Sequence, residues 1–276
     1  MLAATCLFGM MGALVKWTGE RLPVLEVAFF RSFFGMAPVL AALAIRRVSP
    51  RPKHPRLLLW RSLSGLGSML AYFYGITALP LSDAVLLGNT APIFVAIIAP
   101  MMLRERTSRG TWIAVAVSLA GVAVILQPRL DLHSWGTAAA LSSGLLAASA
   151  YIAISKLSGE GEDADVIALY FPLVASVACA PLMAPGFVWP ASPEIWVALG
   201  AMGLVGGGGQ ILMTRAYAAG PTAPVAAASY GTVVVSWALG VVAFDDPLLA
   251  TSVTGGLLVV SSGAWLAVRT SGTPSR

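Results

Sequence analysis

Charge is scarce in this chain. Of 276 residues, 11% are charged against 58% hydrophobic, and mean hydropathy is +0.83. Soluble domains carry about 25% charged residues, so a water-facing surface cannot be assembled from this composition. Histidine and cysteine are equally sparse, at two each. His54 and His133 fall in connections, and Cys6 and Cys179 fall inside apolar runs without metal-type pairing. The cysteines read as small hydrophobes, and neither a metal site nor a cofactor is expected. No His/Glu metal motif, Ser-His-Asp set or Asp-rich diphosphate motif lies within an apolar run, which argues against an intramembrane enzyme. The run from Met1 lacks the basic n-region and small-residue cleavage site of a signal peptide, so it is expected to stay as a first helix.

What is present is a succession of apolar runs. Charge, proline and glycine delimit ten of them, at 2–19, 24–45, 57–78, 81–103, 110–126, 134–156, 165–184, 194–217, 221–243 and 249–268. Spans of roughly 20 residues with short connections use up the chain, leaving no room for a soluble domain. The fold expected is an all-α integral membrane protein of ten transmembrane helices. A net charge of +5 and pI of 9.6 would suit a polyanion partner, but the basic residues cluster between the runs. Arg46, Arg47, Arg51, Lys53 and Arg56 share one connection, Arg104, Arg106 and Arg109 another, and Arg269 and Arg276 the tail. If the spans alternate, these lie on one side, and the positive-inside rule makes that side cytoplasmic. Arg21 and Arg129 are nearly all that the other side holds. The expected setting is therefore the inner (plasma) membrane with both termini cytoplasmic, a lipid partner and no nucleic acid. The acidic connection Glu160-Gly161-Glu162-Asp163-Ala164-Asp165 falls on the inside too, and acidic residues weigh little in the rule.

A pattern also recurs. Gly75, Ala78 and Pro80 precede an apolar run ending at Arg104-Glu105-Arg106, and Ala216, Ala219 and Pro221 precede one ending at Asp245-Asp246. Pro80 and Pro221 are 141 positions apart, as are Glu105 and Asp246. Five spans per half is an odd number, so the second half enters the membrane from the opposite side. Lys16 and Lys156, each late in the first helix of its half, accordingly fall near opposite faces. The expected organisation is two inverted five-helix repeats, 1–126 and 134–268, around a central cavity, with a short tail at 269–276. Such a chain reads as a membrane transporter with two nearly equivalent states about a midplane site.

The stretch Tyr72-Phe73-Tyr74-Gly75-Ile76-Thr77-Ala78-Leu79-Pro80, the helix through Asn89 and Pro92, Leu103-Arg104-Glu105-Arg106 and the Gly121 helix resemble an EamA-type repeat. That is the ten-helix branch of the drug/metabolite transporter superfamily. The second half is a weaker copy, with Arg215-Ala216-Tyr217 before Gly220-Pro221 and Asp245-Asp246 where the repeat usually has Gly-Glu. The resemblance covers nearly the whole chain and implies a carrier of small solutes, including the YddG-type exporters of amino acids. Carriers of other metabolites or drugs, nucleoside-like ones among them, share the pattern.

Candidates for a substrate site are polar and aromatic residues at helical spacing. Ser64, Ser68 and Tyr72 form one stripe, and Gln210, Thr214 and Tyr217 another. Asn89 coincides with Tyr230 at the repeat offset, both mid-span, and Tyr151 and Trp237 add aromatic surface. Arg31 lies a third of the way into its span and either pairs with Glu26 or meets a substrate carboxylate. The set expected to bind substrate is Arg31, Tyr72, Asn89, Tyr151, Gln210, Tyr230 and Trp237. Serines and threonines also serve as packing contacts between membrane helices. Trp17 and Trp60 suit the interfacial aromatic belt, and Lys16 suits snorkelling. Gly206-Gly207-Gly208-Gly209 lacks the strand and Lys-Ser/Thr of a phosphate loop, so close helix packing explains it, with Gly65 and Gly67 at the repeat offset from Gly206 and Gly208. Only Glu26 and Asp83 bring a carboxylate near the spans, both toward outer ends. A chain without an embedded carboxylate is expected to work as a facilitator rather than by ion coupling. A lipophilic cation is disfavoured on the same ground, and a zwitterion fits better. Aromatic or large neutral amino acids are the expected cargo, and a monomer the expected state.

Overall fold

A computed structural model describes residues 1–79, 81–127, 135–244 and 249–271. Pro80, Arg129, His133, Asp245, Asp246 and Arg276 lie outside the described residues, as do the side chains of Asp83 and Arg269. The described residues form helices and no strand. In chain order these are α1 (Leu2–Gly19), α2 (Val24–Arg46), α3 (Pro55–Ala78), α4 (Leu81–Gly88), α5 (Ala91–Leu103) and α6 (Arg109–Leu126). Then follow α7 (Trp135–Gly159), α8 (Ala164–Met183), α9 (Pro193–Ala219), α10 (Thr222–Ala227), α11 (Gly231–Phe244) and α12 (Ala250–Ser271).

Every expected run falls on helix, with two differences. The runs 81–103 and 221–243 are not continuous. The first breaks at Asn89–Thr90, where Thr90 is the N-cap of α5 and Pro92 sits in its first turn. The second tightens into a 3₁₀ turn at Ala228–Tyr230 before Gly231 opens α11. A proline in the first turn carries no amide that the preceding helix needs, so a helix restarts there readily. The other difference concerns hydropathy. Among the described residues, eight segments are long and apolar enough to cross a bilayer, and α3 and α12 are not among them. The 24-residue α3 carries Arg56, Arg61, Ser62, Ser64 and Ser68, and the apolar part of α12, Ala250–Leu266, is shorter. Because α12 runs to Ser271, the start of the expected tail extends this helix.

The principal neighbours across the bundle are reciprocal. α3 packs on α7 and α9 on α1, α2 on α9 and α8 on α3, α5 on α7 and α11 on α1, while α2 meets α8 and α6 meets α12. α9 approaches α2 where Gly203 and Gly207, four residues apart, face Gly35, the small-residue contact that lets membrane helices come close. This accounts for the glycine run as packing. The largest apolar cluster unites Val39 and Leu43 of α2, Leu58 of α3, Val95 of α5, Leu157 of α7, Ile167 of α8 and Tyr217 of α9. It lies toward the end that carries the α2–α3 and α7–α8 connections.

Candidate substrate site

Arg31 and Arg61 are carried into the bundle from opposite ends. Arg31 lies seven residues into α2 and Arg61 six residues into α3, placing each about 10 Å along its helix at 1.5 Å per residue. Both guanidinium groups sit over the ring of Phe171 on α8, at 4.8 Å from its centroid for Arg61 and 5.9 Å for Arg31. Arg61 is 2% exposed, and its Nε and Nη1 have no hydrogen-bond partner among the described residues. Arg31 donates from Nε to Met11 Sδ at 3.0 Å and from Nη1 to Met69 Sδ at 3.4 Å. The Arg31–Glu26 pair allowed by the sequence does not form, because the buried Glu26 accepts a hydrogen bond from the Val188 amide instead. A charged residue at mid-membrane costs about 2.5–3.5 kcal/mol on insertion scales. An aromatic face returns about 0.5–2 kcal/mol, and thioether sulfurs are weak acceptors. Two guanidiniums held this way are under-compensated.

A cavity of about 10 Å³, room for about one water, lies on the Arg31 side, lined by Arg31, Ser32, Gly35, Phe171, Pro172, Gly206, Gly207 and Gln210. Of the residues expected to bind substrate, this cavity brings together Arg31 and Gln210, whose Nε2 has no partner among the described residues. Tyr151 stacks on Tyr217, with centroids 5.1 Å apart and planes 18° from parallel, and lies within electrostatic reach of both arginines. The remaining candidates stand elsewhere. The Tyr72 ring fills the space that a side chain at Gly88 would need, one residue from Asn89. Asn89 turns its amide to the Val85 carbonyl at 2.8 Å, satisfying the last turn of α4 just before the break. Tyr230 is fully buried among Leu86, Val122, Ile125, Val233 and Val259, with Trp237 against the same cluster. The Tyr230 hydroxyl and Trp237 Nε1 lack partners among the described residues. The serine stripe is packing material. Ser64 Oγ donates to the Trp60 and Arg61 carbonyls of its own helix, and Ser68 Oγ to the Ser143 carbonyl of α7. Trp60 is exposed and donates to Ser149.

The end bearing the basic connection is tied shut by charge. Asp165, fully buried in the first turn of α8, accepts from Arg215 of α9 at 2.8 and 3.0 Å and from Arg46 of α2. Arg46 also forms two 3.0 Å bonds to Asp163. Glu162 accepts from the Lys53 and His54 amides at 2.8 and 2.9 Å. The acidic connection that falls on the basic side is thus the counter-charge of that side. A parallel contact joins the halves. Glu105 takes the Thr222 amide and hydroxyl, each at 2.9 Å, and Thr222 meets Ser155. The sequence pointed to neither Arg61, Phe171 nor the Asp165 cluster. The signal that could have found Arg61 was a lone charge a full turn and more inside an apolar run.

Comparison with known proteins agrees with a transporter. Residues 1–127 match the EamA-like transporter family. A pseudopaline exporter of Pseudomonas aeruginosa, CntI, is 31% identical over 258 residues, spanning 93% of this chain and 90% of the exporter. Human solute carrier family 35 member G1 is 26% identical over 94% of this chain and 75% of its own length. A riboflavin transporter of Rhizobium johnstonii is 26% identical over 82% and 75%. A crystal structure superposes with a TM-score of 0.85 over 99% of this chain and 96% of its own, at 21% identity, which speaks for a shared fold. A 31% match along nine-tenths of both proteins decides the kinship, and this chain belongs to the EamA-like transporter family of the drug/metabolite transporter superfamily.

Proposed function

We propose that this transporter exports amino acids, aromatic or large neutral ones first, from the cytoplasm by alternating access. In this reading α3 and α12 also span the membrane, giving ten spans in two inverted repeats with both termini cytoplasmic, in the inner (plasma) membrane of the cell. The protein works as a monomer and as a facilitator. The observation that carries the reading is the small cavity where α2 meets α8 and α9, helices drawn from both halves, into which Arg31, Ser32 and Gln210 bring polar groups and which alternating access would widen. Discontinuous helices at corresponding positions of the two halves are the usual builders of carrier sites, and the breaks at Asn89–Thr90 and Tyr230–Gly231 stand 141 residues apart. The reciprocal packing of α3 on α7 and α9 on α1 supports the repeat. A zwitterion suits the site's chemistry: its carboxylate meets Arg31 and Gln210, and its ammonium and side chain meet the Tyr151–Tyr217 stack.

Purified protein in liposomes preloaded with labelled phenylalanine, leucine or tryptophan tests this. Counterflow without ATP is expected, reduced at least tenfold by Arg31→Gln. Relatives named as riboflavin and S-adenosylmethionine transporters favour a second reading, a heteroaromatic or nucleoside-like cargo. Counterflow of such a compound with none for any amino acid would replace the first reading with the second.

A further inference from the structure

We infer that, when the transport cycle widens the cavity, it receives a solute with two anionic groups, an amino acid or amino-acid derivative carrying two carboxylates, one held by Arg31, which lines the cavity, and the other by Arg61, which lies outside its lining but reaches the same Phe171 ring. This rests on the amino-acid reading above and puts acidic members of that class ahead of the neutral ones.

The argument begins with an imbalance of charge. Arg61 is 2% exposed, and among the described residues its guanidinium sits over the face of Phe171, near Arg31 and Tyr151. A guanidinium buried for structural reasons spends its five donors on carbonyls or a carboxylate. Nε and Nη1 of Arg61 have neither among the described residues. Arg31 reaches the same ring and bonds two methionine sulfurs, acceptors that a carboxylate displaces readily. No described carboxylate pairs with either arginine. The buried acids are engaged at the two ends, Glu26 with Val188, and Asp165 with Arg46 and Arg215. One carboxylate on the solute answers one guanidinium and leaves the second bare.

The spacing suits a short solute. Both guanidinium carbons lie on one ring, at 4.8 and 5.9 Å from its centroid, so they are at most 10.7 Å apart. Two carboxylates at charge-assisted hydrogen-bond distance, about 2.8 Å each, cover about half of that upper bound, and a few carbons span the rest. The surrounding backbone is cut back for the pair. A Cβ at Gly65 would stand 3.1 Å from the Phe171 ring and 3.6 Å from Arg61 Nη1, and one at Gly206 would stand 2.8 Å from Met11 Sδ and 3.9 Å from Arg31 Nε. These glycines are 141 positions apart, so equivalent positions of the two halves let Phe171 and Met11, the groups against which the arginines rest, pack close to the backbone.

The test uses the purified full-length protein in detergent and compares two-carboxylate compounds with counterparts that carry one. Thermal midpoints are measured with glutamate against glutamine, 2-aminoadipate against norleucine, and succinate and glutarate against butyrate. The same compounds are then assayed as competitors of counterflow in liposomes. Expected is stabilisation by the two-carboxylate member of each set at a concentration at least tenfold lower than its partner, the weight of one charge-assisted pair. Arg61→Gln should erase that preference, and Arg61→Lys should retain part of it. Ligand-free midpoints verify that both variants are folded. Equal effects of two-carboxylate and one-carboxylate compounds on the wild type overturn the proposal, as does a preference that survives Arg61→Gln. Stabilisation by succinate and glutarate with no effect of any amino acid would sustain the two-anion site and defeat the amino-acid reading instead.

Discussion

At Gly207 the backbones of α2 and α9 meet with no room for a side chain. A Cβ there would lie 2.5 Å from Pro38 Cγ and closer still to the Gly35 carbonyl, whereas one at Gly200 would meet nothing within 4 Å. Gly207→Ala is therefore expected to lower stability by about 1–3 kcal/mol, the usual penalty of overpacking. Gly200→Ala should leave it unchanged or slightly raised, since alanine is the better helix former. Thermal unfolding of the two purified variants compares them directly, and equal midpoints would mean that the helices are not in contact at Gly207. The sequence made the glycine run legible as a packing surface but not its partner, because spacing names the face of a helix and not what lies against it. Arg61 was hidden for a similar reason. It follows a basic connection closely, so in sequence it resembles a charge that reaches back to the membrane surface. Only the rotation of α3 against α8 turns it onto Phe171.

The helix boundaries were largely readable, since charge and proline mark where apolar runs stop, and the ends of α1, α2, α6 and α9 fall within about two residues of those expected, the usual spread of helix assignment. The interruptions within spans were not. Pro92 and Gly231 sit among apolar neighbours that a hydropathy window averages over, and the break requires Thr90 to cap α5 in space. Connections between elements were also beyond reach of the sequence. The acidic α7–α8 turn became intelligible once Arg46 and Arg215 were seen on either side of Asp165. This cluster ties α2, α8 and α9 together at one end, so Asp165→Asn should loosen that end first. A cysteine placed at Ser155, whose hydroxyl meets Tyr217 of α9 and Thr222, should react faster with a permeant maleimide in the Asp165→Asn background. The thermal midpoint should fall by the equivalent of about 1–3 kcal/mol, less than a fully buried pair because both arginines are near half-exposed. An unchanged alkylation rate would show that the charges do not close this end.

At the scale of the molecule, orientation and energy source follow from where charge is placed. In a background lacking Cys6 and Cys179, cysteines at Ser49 and Gly159 should be labelled by an impermeant reagent from the same side of the membrane, and one at Ala191 from the other. The basic side should be cytoplasmic. Labelling of Ser49 and Ala191 from one side would break the alternation on which the inverted repeat depends. The energetic question turns on two buried carboxylates, Glu26, which the sequence placed toward an outer end, and Asp165, whose burial it did not show. Asp165 is fully buried, yet two arginines neutralise it at one end of the bundle. Glu26 is fully buried near the other end, where one oxygen holds the Val188 amide and the other has no partner among the described residues. Neither lines the cavity beside Arg31, so neither is placed to trade a proton against the cargo at the site, as coupled carriers do with embedded acids. Counterflow in liposomes is accordingly expected to be the same, within about twofold, with and without an imposed proton gradient, and Glu26→Gln should not alter that. A gradient-driven flux that Glu26→Gln abolishes would make Glu26 the coupling acid and the protein a proton-driven carrier.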